Sequence, residues 1–255
     1  MNNLTEHIPG FGFYNMDCMK GMKLFPDNYF DLAIVDPPYG LNITGRHKAK
    51  EEGIEIVNGK ARAFGGKKGG IKLHGHCKNA AVKPKVYHPF NDKTTPGKEY
   101  FEELFRVSKN QIIWGGNYFL DYLGNAKCVI VWDKCRRGLS QSDCEIAWTS
   151  LNDNPRIIEY KWNGMLQQDM KNKETRIHPT QKPVALYEKL LTRYAKDGDV
   201  ILDTHVGSAS SLIACHNTQH KFVGFEIDEY YFNTAKERFD AETRQINLFE
   251  CTGDK

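Results

Sequence analysis

The chain has 255 residues, 40% hydrophobic and 26% charged, with a formal net charge of +3. That length suits one α/β domain with a large core, or one domain carrying insertions. No low-complexity tract, internal repeat, basic-then-apolar leader or run of about 18 apolar residues is present, which excludes fibrous, repeat and membrane-spanning classes and leaves a cytoplasmic globular protein as the expectation.

Charge is unevenly spread. Residues 41–90 hold eleven Lys/Arg and three Glu, a local +8 against −5 for the remainder. A basic segment on a mildly acidic body points to a polyanion partner. The seven cysteines are odd in number, scattered and free of any C-x-x-C pair, so reduced and mostly buried thiols are expected.

Taken in chain order, Phe11 to Asn15 reads as a strand and Asp17 follows it. Asp17 fits a helix cap or a holder of a ligand amino group. Met19, Met22, Leu24 and Phe25 give a short helical pattern ending at Pro26. Phe30 to Val35 is an apolar, β-branched run that reads as a buried strand. It delivers Asp36-Pro37-Pro38-Tyr39 to a strand's carboxyl end, where open α/β sheets place ligands. The prolines remove two backbone donors and hold Asp36 extended. What remains is acceptor-rich: the Asp36 carboxylate and the carbonyls of Asp36 and Pro37. Such a site suits a ligand with N–H to donate, and Tyr39 adds a flat face for stacking. The plainer alternative is a Pro-Pro turn with a solvated Asp.

Residues 41–90, rich in Gly and Lys, show no sustained apolar period and read as a long mobile insertion behind this motif. By composition a lid that contacts DNA phosphates and a solvated charged loop both fit, and the position beside the Asp36 motif favours the lid. His74, His76, Cys77 and His88 fall here, but H-x-H-C lacks the paired spacing of zinc sites, and no metal is assigned. Thr95 with Pro96 should start a helix whose face is Phe101, Leu104, Phe105 and Ser108. Gln111 to Trp114, Cys128 to Trp132 and Glu145 to Trp148 read as strands. The alternation argues for a doubly wound parallel sheet.

Residues 150–177 are polar and irregular, with Arg156, Tyr160, Lys161, Trp162, Asn163, Gln167, Gln168, Asn172 and Arg176. Amides and arginines can read base edges in a major groove. An ordinary surface connection with Trp162 packed inward is the alternative. His178-Pro179-Thr180-Gln181-Lys182-Pro183 then precedes a helix with Tyr187, Leu190, Leu191 and Tyr194 on its apolar face. Helix N-termini of this kind attract anions. Val200 to Asp203 is a strand, Gly207 and Ser208 lie in the turn behind it, and Leu212 and Ile213 open a helix. Phe222 to Glu226 is the next strand. Its terminal acid lies about 20 residues past the glycine turn, where a ribose would be gripped. Phe232, Ala235 and Phe239 mark a closing helix.

The D-P-P-Y motif at Asp36 to Tyr39, the H-P-T-Q-K-P motif at His178 to Pro183 and the strand, turn, strand, acid unit from Val200 to Glu226 together resemble an amino-group DNA methyltransferase of the beta class. The catalytic motif comes first and the cofactor motif near the C-terminus, the circularly permuted order of that class. The motifs cover roughly the first forty and last eighty residues. The resemblance implies a mostly parallel, seven-stranded Rossmann-like methyltransferase sheet, S-adenosylmethionine as donor and double-stranded DNA as partner. It makes a homodimer an available assembly. Asp36, Pro37, Pro38 and Tyr39 match the catalytic motif, with adenine N6 favoured over cytosine N4. The donor set it implies is Asp17 at the adenine, Thr180 and Lys182 near the methionine carboxylate, Asp203 and Gly207 cradling the donor and Glu226 on the ribose, with Asp36, His178 and Ser208 also in the set. The chain departs from the class at Ala209, where a second glycine is usual. A methyl is tolerated there at negative φ, and costs donor affinity if φ must be positive. In this reading Tyr39→Phe or Trp keeps the stacking face.

Overall fold

The computed structural model describes residues 11–41, 54–57, 60–63, 87–137, 142–163 and 166–250. His74, His76 and Cys77, and most of the basic insertion, lie outside the described residues.

The strands are β1 (Gly12–Asn15), β2 (Leu32–Val35), β3 (Ile54–Val57), β4 (Lys60–Ala63), β5 (Gln111–Trp114), β6 (Val129–Asp133), β7 (Cys144–Thr149), β8 (Arg156–Glu159), β9 (Trp162–Asn163), β10 (Leu166–Gln167), β11 (Val200–Asp203) and β12 (Lys221–Glu226). The helices are α1 (Cys18–Met22), α2 (Lys98–Val107), α3 (Leu120–Leu123), α4 (Val184–Tyr194), α5 (Ser210–Asn217) and α6 (Glu229–Glu250). Eight strands join one sheet in the order β1-β12-β11-β2-β5-β7-β6-β8, while β3 pairs with β4 and β9 with β10. β1, β12, β11, β2 and β5 run parallel, β7 is antiparallel to both its neighbours, and β8 is parallel to β6.

Side-chain alternation along the central strands separates two cores. Leu32, Ile34, Ile112, Trp114 and Ile201 face Leu186, Leu190, Ile213 and Ala235 of α4, α5 and α6. Ala33, Val35, Ile113, Leu202 and Val223 face Met22, Phe101, Leu104 and Leu123 of α1, α2 and α3. Helices therefore cover both faces, which is the doubly wound arrangement. From β11 the chain crosses through α5 to β12 on one side. From β2 it crosses through α2 to β5 on the other. The crevice outside β11 and β2 is the switch point where such sheets bind ligands.

Four expectations change. The sheet has eight strands, not seven. The extra one, β8, lies inside residues 150–177, which read as irregular because a four-residue edge strand with a charge at each end, and Ile157 70% exposed, leaves little apolar signal. Secondly, α2 begins at Lys98 with Gly97 as its cap and no side-chain cap bond, so Thr95 and Pro96 lie in the irregular approach to the helix. Thirdly, the sheet is mostly parallel as the resemblance implied, but not wholly so, because β7 runs antiparallel to both its neighbours. Lastly, of the five described cysteines, all free, only Cys128 and Cys215 are buried. No described helix is long and apolar enough to cross a membrane.

Candidate active site

β12, β11 and β2 are adjacent parallel strands, so their carboxyl ends lie side by side. Those ends carry Glu226, Asp203 and Asp36. Residues distant in sequence are thereby brought to one rim by register alone.

Asp36 and Glu226 open onto a single cavity of about 320 Å³. Its wall also includes Pro37, Pro38, Tyr39, His178, Thr180, Lys182, Gly207 and Ser208. Asp17 and Asp203 do not line it. Asp17 accepts from the Met19 and Lys20 N–H groups and caps α1. Asp203 is buried below the turn after β11, where its carboxylate accepts from Ser211 Oγ at 2.5 Å and from the His205 N–H at 3.0 Å. Burial pushes the Asp203 carboxyl up to about 7, against these bonds.

At one end of the cavity, Tyr39 Oη donates to Asp36 Oδ1 and the Lys182 ammonium donates to Asp36 Oδ2. Lys182 therefore lies on the catalytic-motif carboxylate. It is 3% exposed and lies over the Trp114 and Tyr39 rings at 5.3 and 5.8 Å. Burial raises the Asp36 carboxyl above its usual range; Lys182 opposes this and Glu145 adds to it. Burial works against the Lys182 charge, but Asp36 and Glu145 hold its proton more tightly than usual. The Tyr39 ring lies against Gly115, whose φ is +67°, and a Cβ there would overlap the ring. Tyr39 also stacks on Tyr118, with centroids 5.0 Å apart.

At the other end, Glu226 accepts from the N–H groups of Gly207 and Asp228, each at 2.9 Å. Gly207 has φ +54° and Ala209 φ +63°, so the alanine does occupy the left-handed region. Its methyl is in the core and not on the cavity wall. Arg238 braces the turn from α6: it donates to the Ser208 carbonyl at 2.9 Å and to Glu174 at 2.8 Å. Glu174 in turn accepts from the Val184 N–H that starts α4. His178 is buried, which with Lys182 and Arg176 nearby pushes its imidazole down to about 3, so it is neutral; its Nδ1 lies 2.9 Å from Thr180 Oγ1.

Sequence reasoning missed several of these groups. Glu145 read only as the start of a strand, yet it pairs with Lys182 at 3.1 Å and Lys134 at 2.5 Å. The available signal was a charge inside an apolar strand pattern. Phe90, Asn91 and Tyr231 line the cavity and carried no sequence signal of it, whereas His205, also on the wall, sits in the turn between Asp203 and Gly207. In residues 150–177 most described side chains are exposed, and a few, Trp162 and Gln167 above all, are committed inside the protein. Gln167 exchanges bonds with the Glu174 backbone, Arg156 pairs with Asp153, and buried Trp162 donates to the Gln181 carbonyl.

The model of the N6_N4_Mtase family, described as DNA methylase, matches residues 77–237. The type II methyltransferase M2.DpnII of Streptococcus pneumoniae is 25% identical over 242 residues, covering 89% of this chain and 88% of the relative. The type II methyltransferase M.HpaI of Haemophilus parainfluenzae is 41% identical over 71 residues, which is 28% of this chain and only 23% of that relative. In fold, the chain resembles the solved M1.HpyAVI–SAM complex at a TM-score of 0.51 and 19% identity, covering 89% of this chain and 97% of that one.

Proposed function

The chain belongs to the N6_N4_Mtase family of DNA methylases, and from that premise we propose that it moves a methyl group from S-adenosylmethionine to the exocyclic N6 of adenine in duplex DNA. The observation that carries this reading is the shared cavity: an acceptor-rich motif and a turn-plus-acid motif open onto one hollow. Four carboxylates, Asp36, Asp92, Glu226 and Asp228, line that hollow; Asp36 is paired with Lys182, and the rest suit a ligand with a positive charge and vicinal hydroxyls. We assign Glu226, Gly207, Ser208, His178 and Thr180 to holding the donor, Asp203 to holding the turn, and Asp17 to the adjoining edge of the site. S-adenosylmethionine, when bound there, supplies an electrophilic sulfonium methyl.

The chain's own residues do the rest. A target base inside a duplex is out of reach and has to be flipped into the cavity. Tyr39 supplies a face for it. An adenine N6 is a poor nucleophile because its lone pair is spread into the ring. Asp36 and the Pro37 carbonyl accept its two N–H groups and turn the lone pair towards the Glu226 end. An ionised carboxylate has about four lone-pair sites, so Asp36 still has acceptor capacity beside Tyr39 and Lys182. The methylated nitrogen sheds its extra proton to solvent, and no strong base is needed. Positioning of this kind contributes about 7–11 kcal/mol. Lysines and arginines of residues 41–90 are assigned to the DNA phosphates, and exposed side chains of residues 150–177, such as Lys161 and Asn172, to the target sequence.

Transfer of labelled methyl to unmethylated plasmid, followed by nucleoside analysis, tests this. N6-methyladenine from the parent and at least about a 100-fold loss in Asp36→Asn, some 2.7 kcal/mol of barrier, are expected. Label in cytosine N4, or in RNA in preference to duplex DNA, overturns the assignment.

A further inference from the structure

Glu145 touches neither end of the cavity, yet its carboxylate sits directly behind the site. It stands on β7, the reversed strand, and is absent from the cavity wall. Its Oε2 lies 3.1 Å from the Lys182 ammonium and its Oε1 2.5 Å from Lys134. Lys182 is shared between Glu145 and Asp36. The result is a row of four alternating charges, Lys134, Glu145, Lys182 and Asp36, that ends on the acceptor oxygen of the site.

A stability role alone does not account for this row. Lys182 and Asp36 already neutralise one another. A second, half-buried pair adds desolvation cost that good geometry only offsets. The row does matter to chemistry. An ammonium held by one carboxylate alone draws density from it and weakens it as a hydrogen-bond acceptor for anything else. A second carboxylate on the same ammonium divides that pull. We propose that Glu145 is a positioning residue that sets the acceptor strength of Asp36 by competing for the Lys182 ammonium, with Lys134 holding Glu145 in place. This inference rests on the methyl-transfer reading above.

The surroundings support it. Asp36 is faced by Tyr39 and Lys182, by Glu145 from β7, and more distantly by Tyr187 of α4, Asp203 of β11 and Tyr100 of α2. Of these, Lys182 and Glu145 act on it in opposite directions. Burial pushes the Glu145 carboxyl up, but Lys182 and Lys134 outweigh it and bring it down to about 2, so it is charged throughout the working range. Asp203 also titrates, but what acts on it most is burial, with Ser211, His205, Asp36 and Glu226, not Glu145 or Lys134. A difference between variants therefore reports first on Asp36, on which Glu145 acts directly.

The test is the pH dependence of single-turnover methyl transfer to plasmid DNA by the whole chain as parent, Glu145→Gln and Lys134→Met. Glu145→Gln removes a like charge, so the acidic limb moves to lower pH, and the plateau rate falls about tenfold. Lys134→Met leaves Glu145 uncompensated, so the limb moves to higher pH. Donor affinity in Glu145→Gln stays within about twofold, because the residue does not line the cavity. Limbs that stay put while rates fall, or that move together, reduce Glu145 to a structural part and overturn the inference. If Lys134→Met fails to fold, the Glu145→Gln limb alone decides. A parent that transfers no methyl to DNA overturns the function proposed above, and this inference with it.

Discussion

Tyr39 joins the two halves of the proposed chemistry in one side chain. Its hydroxyl donates to Asp36, and its ring is held between Gly115, Phe119 and Tyr118. Tyr39→Phe keeps the ring and loses the bond to the carboxylate, so transfer should slow about tenfold while stability barely changes. Tyr39→Ala loses both and should be at least about tenfold slower again, with weaker capture of an abasic-opposed target base. Tyr39→Trp meets Gly115 and Phe119 and should cost about 1–3 kcal/mol of stability in denaturant unfolding. Equal losses in Phe and Ala variants would argue against a stacking face. From the sequence, Phe and Trp looked interchangeable here. The difference lies in a glycine more than seventy positions away, and only packing reveals it. The same holds for Lys182, which the motif placed near the donor carboxylate and whose ammonium rests on Asp36.

At the scale of single elements, the turn between β11 and α5 carries two separable effects. Asp203 has its carboxyl raised by burial to about 7, whereas an unfolded chain holds it near 3.8. Between those values the folded state binds the extra proton. Stability from this group is therefore present below about pH 4, falls by up to about 1.4 kcal/mol per pH unit as pH rises to about 7, and is flat beyond. Asp203→Asn removes that dependence. Its stability relative to the parent should climb from pH 4 to pH 7 in thermal unfolding, and a flat or falling difference would contradict the assignment. The second effect is the brace from α6. Arg238 ties the Ser208 carbonyl to Glu174, and Glu174 caps α4. Breaking such a buried pair is costly, so Arg238→Met should lose about 3 kcal/mol and weaken donor binding. A loss under about 1 kcal/mol in urea unfolding would show that the pair contributes little. Ala209, at positive φ in the same turn, carries backbone strain of about 1–2 kcal/mol, but its methyl does not face the cavity.

Elements were legible where the local signal was strong. The β5 and β11 strands match the apolar runs residue for residue, and β2, β12, α4 and α5 fall within a residue or two of expectation. What hid the rest was tertiary. β8 is short, sits at an edge and exposes Ile157, so no hydrophobic pattern marks it. The start of α2 follows Gly97, which offers no capping side chain to recognise.

Across the whole molecule, the permuted chain order has one physical consequence: β2, near the start, is zipped between β11, near the end, and β5. The two motifs meet because neighbouring strand ends share a rim, not because any local sequence joins them. The motifs themselves were readable, as was their order. The hollow between them, and the buried charges behind Asp36, depend on strand pairing that single-sequence patterns do not encode. The most direct measurement of this account is the structure of the chain with the demethylated donor analogue bound. The account predicts the ribose on Glu226 and the sulfur facing Asp36 across the cavity, with room for an amine at about 3–3.5 Å from the missing methyl. An analogue seated away from Glu226, or with its sulfur turned from Asp36, would contradict it.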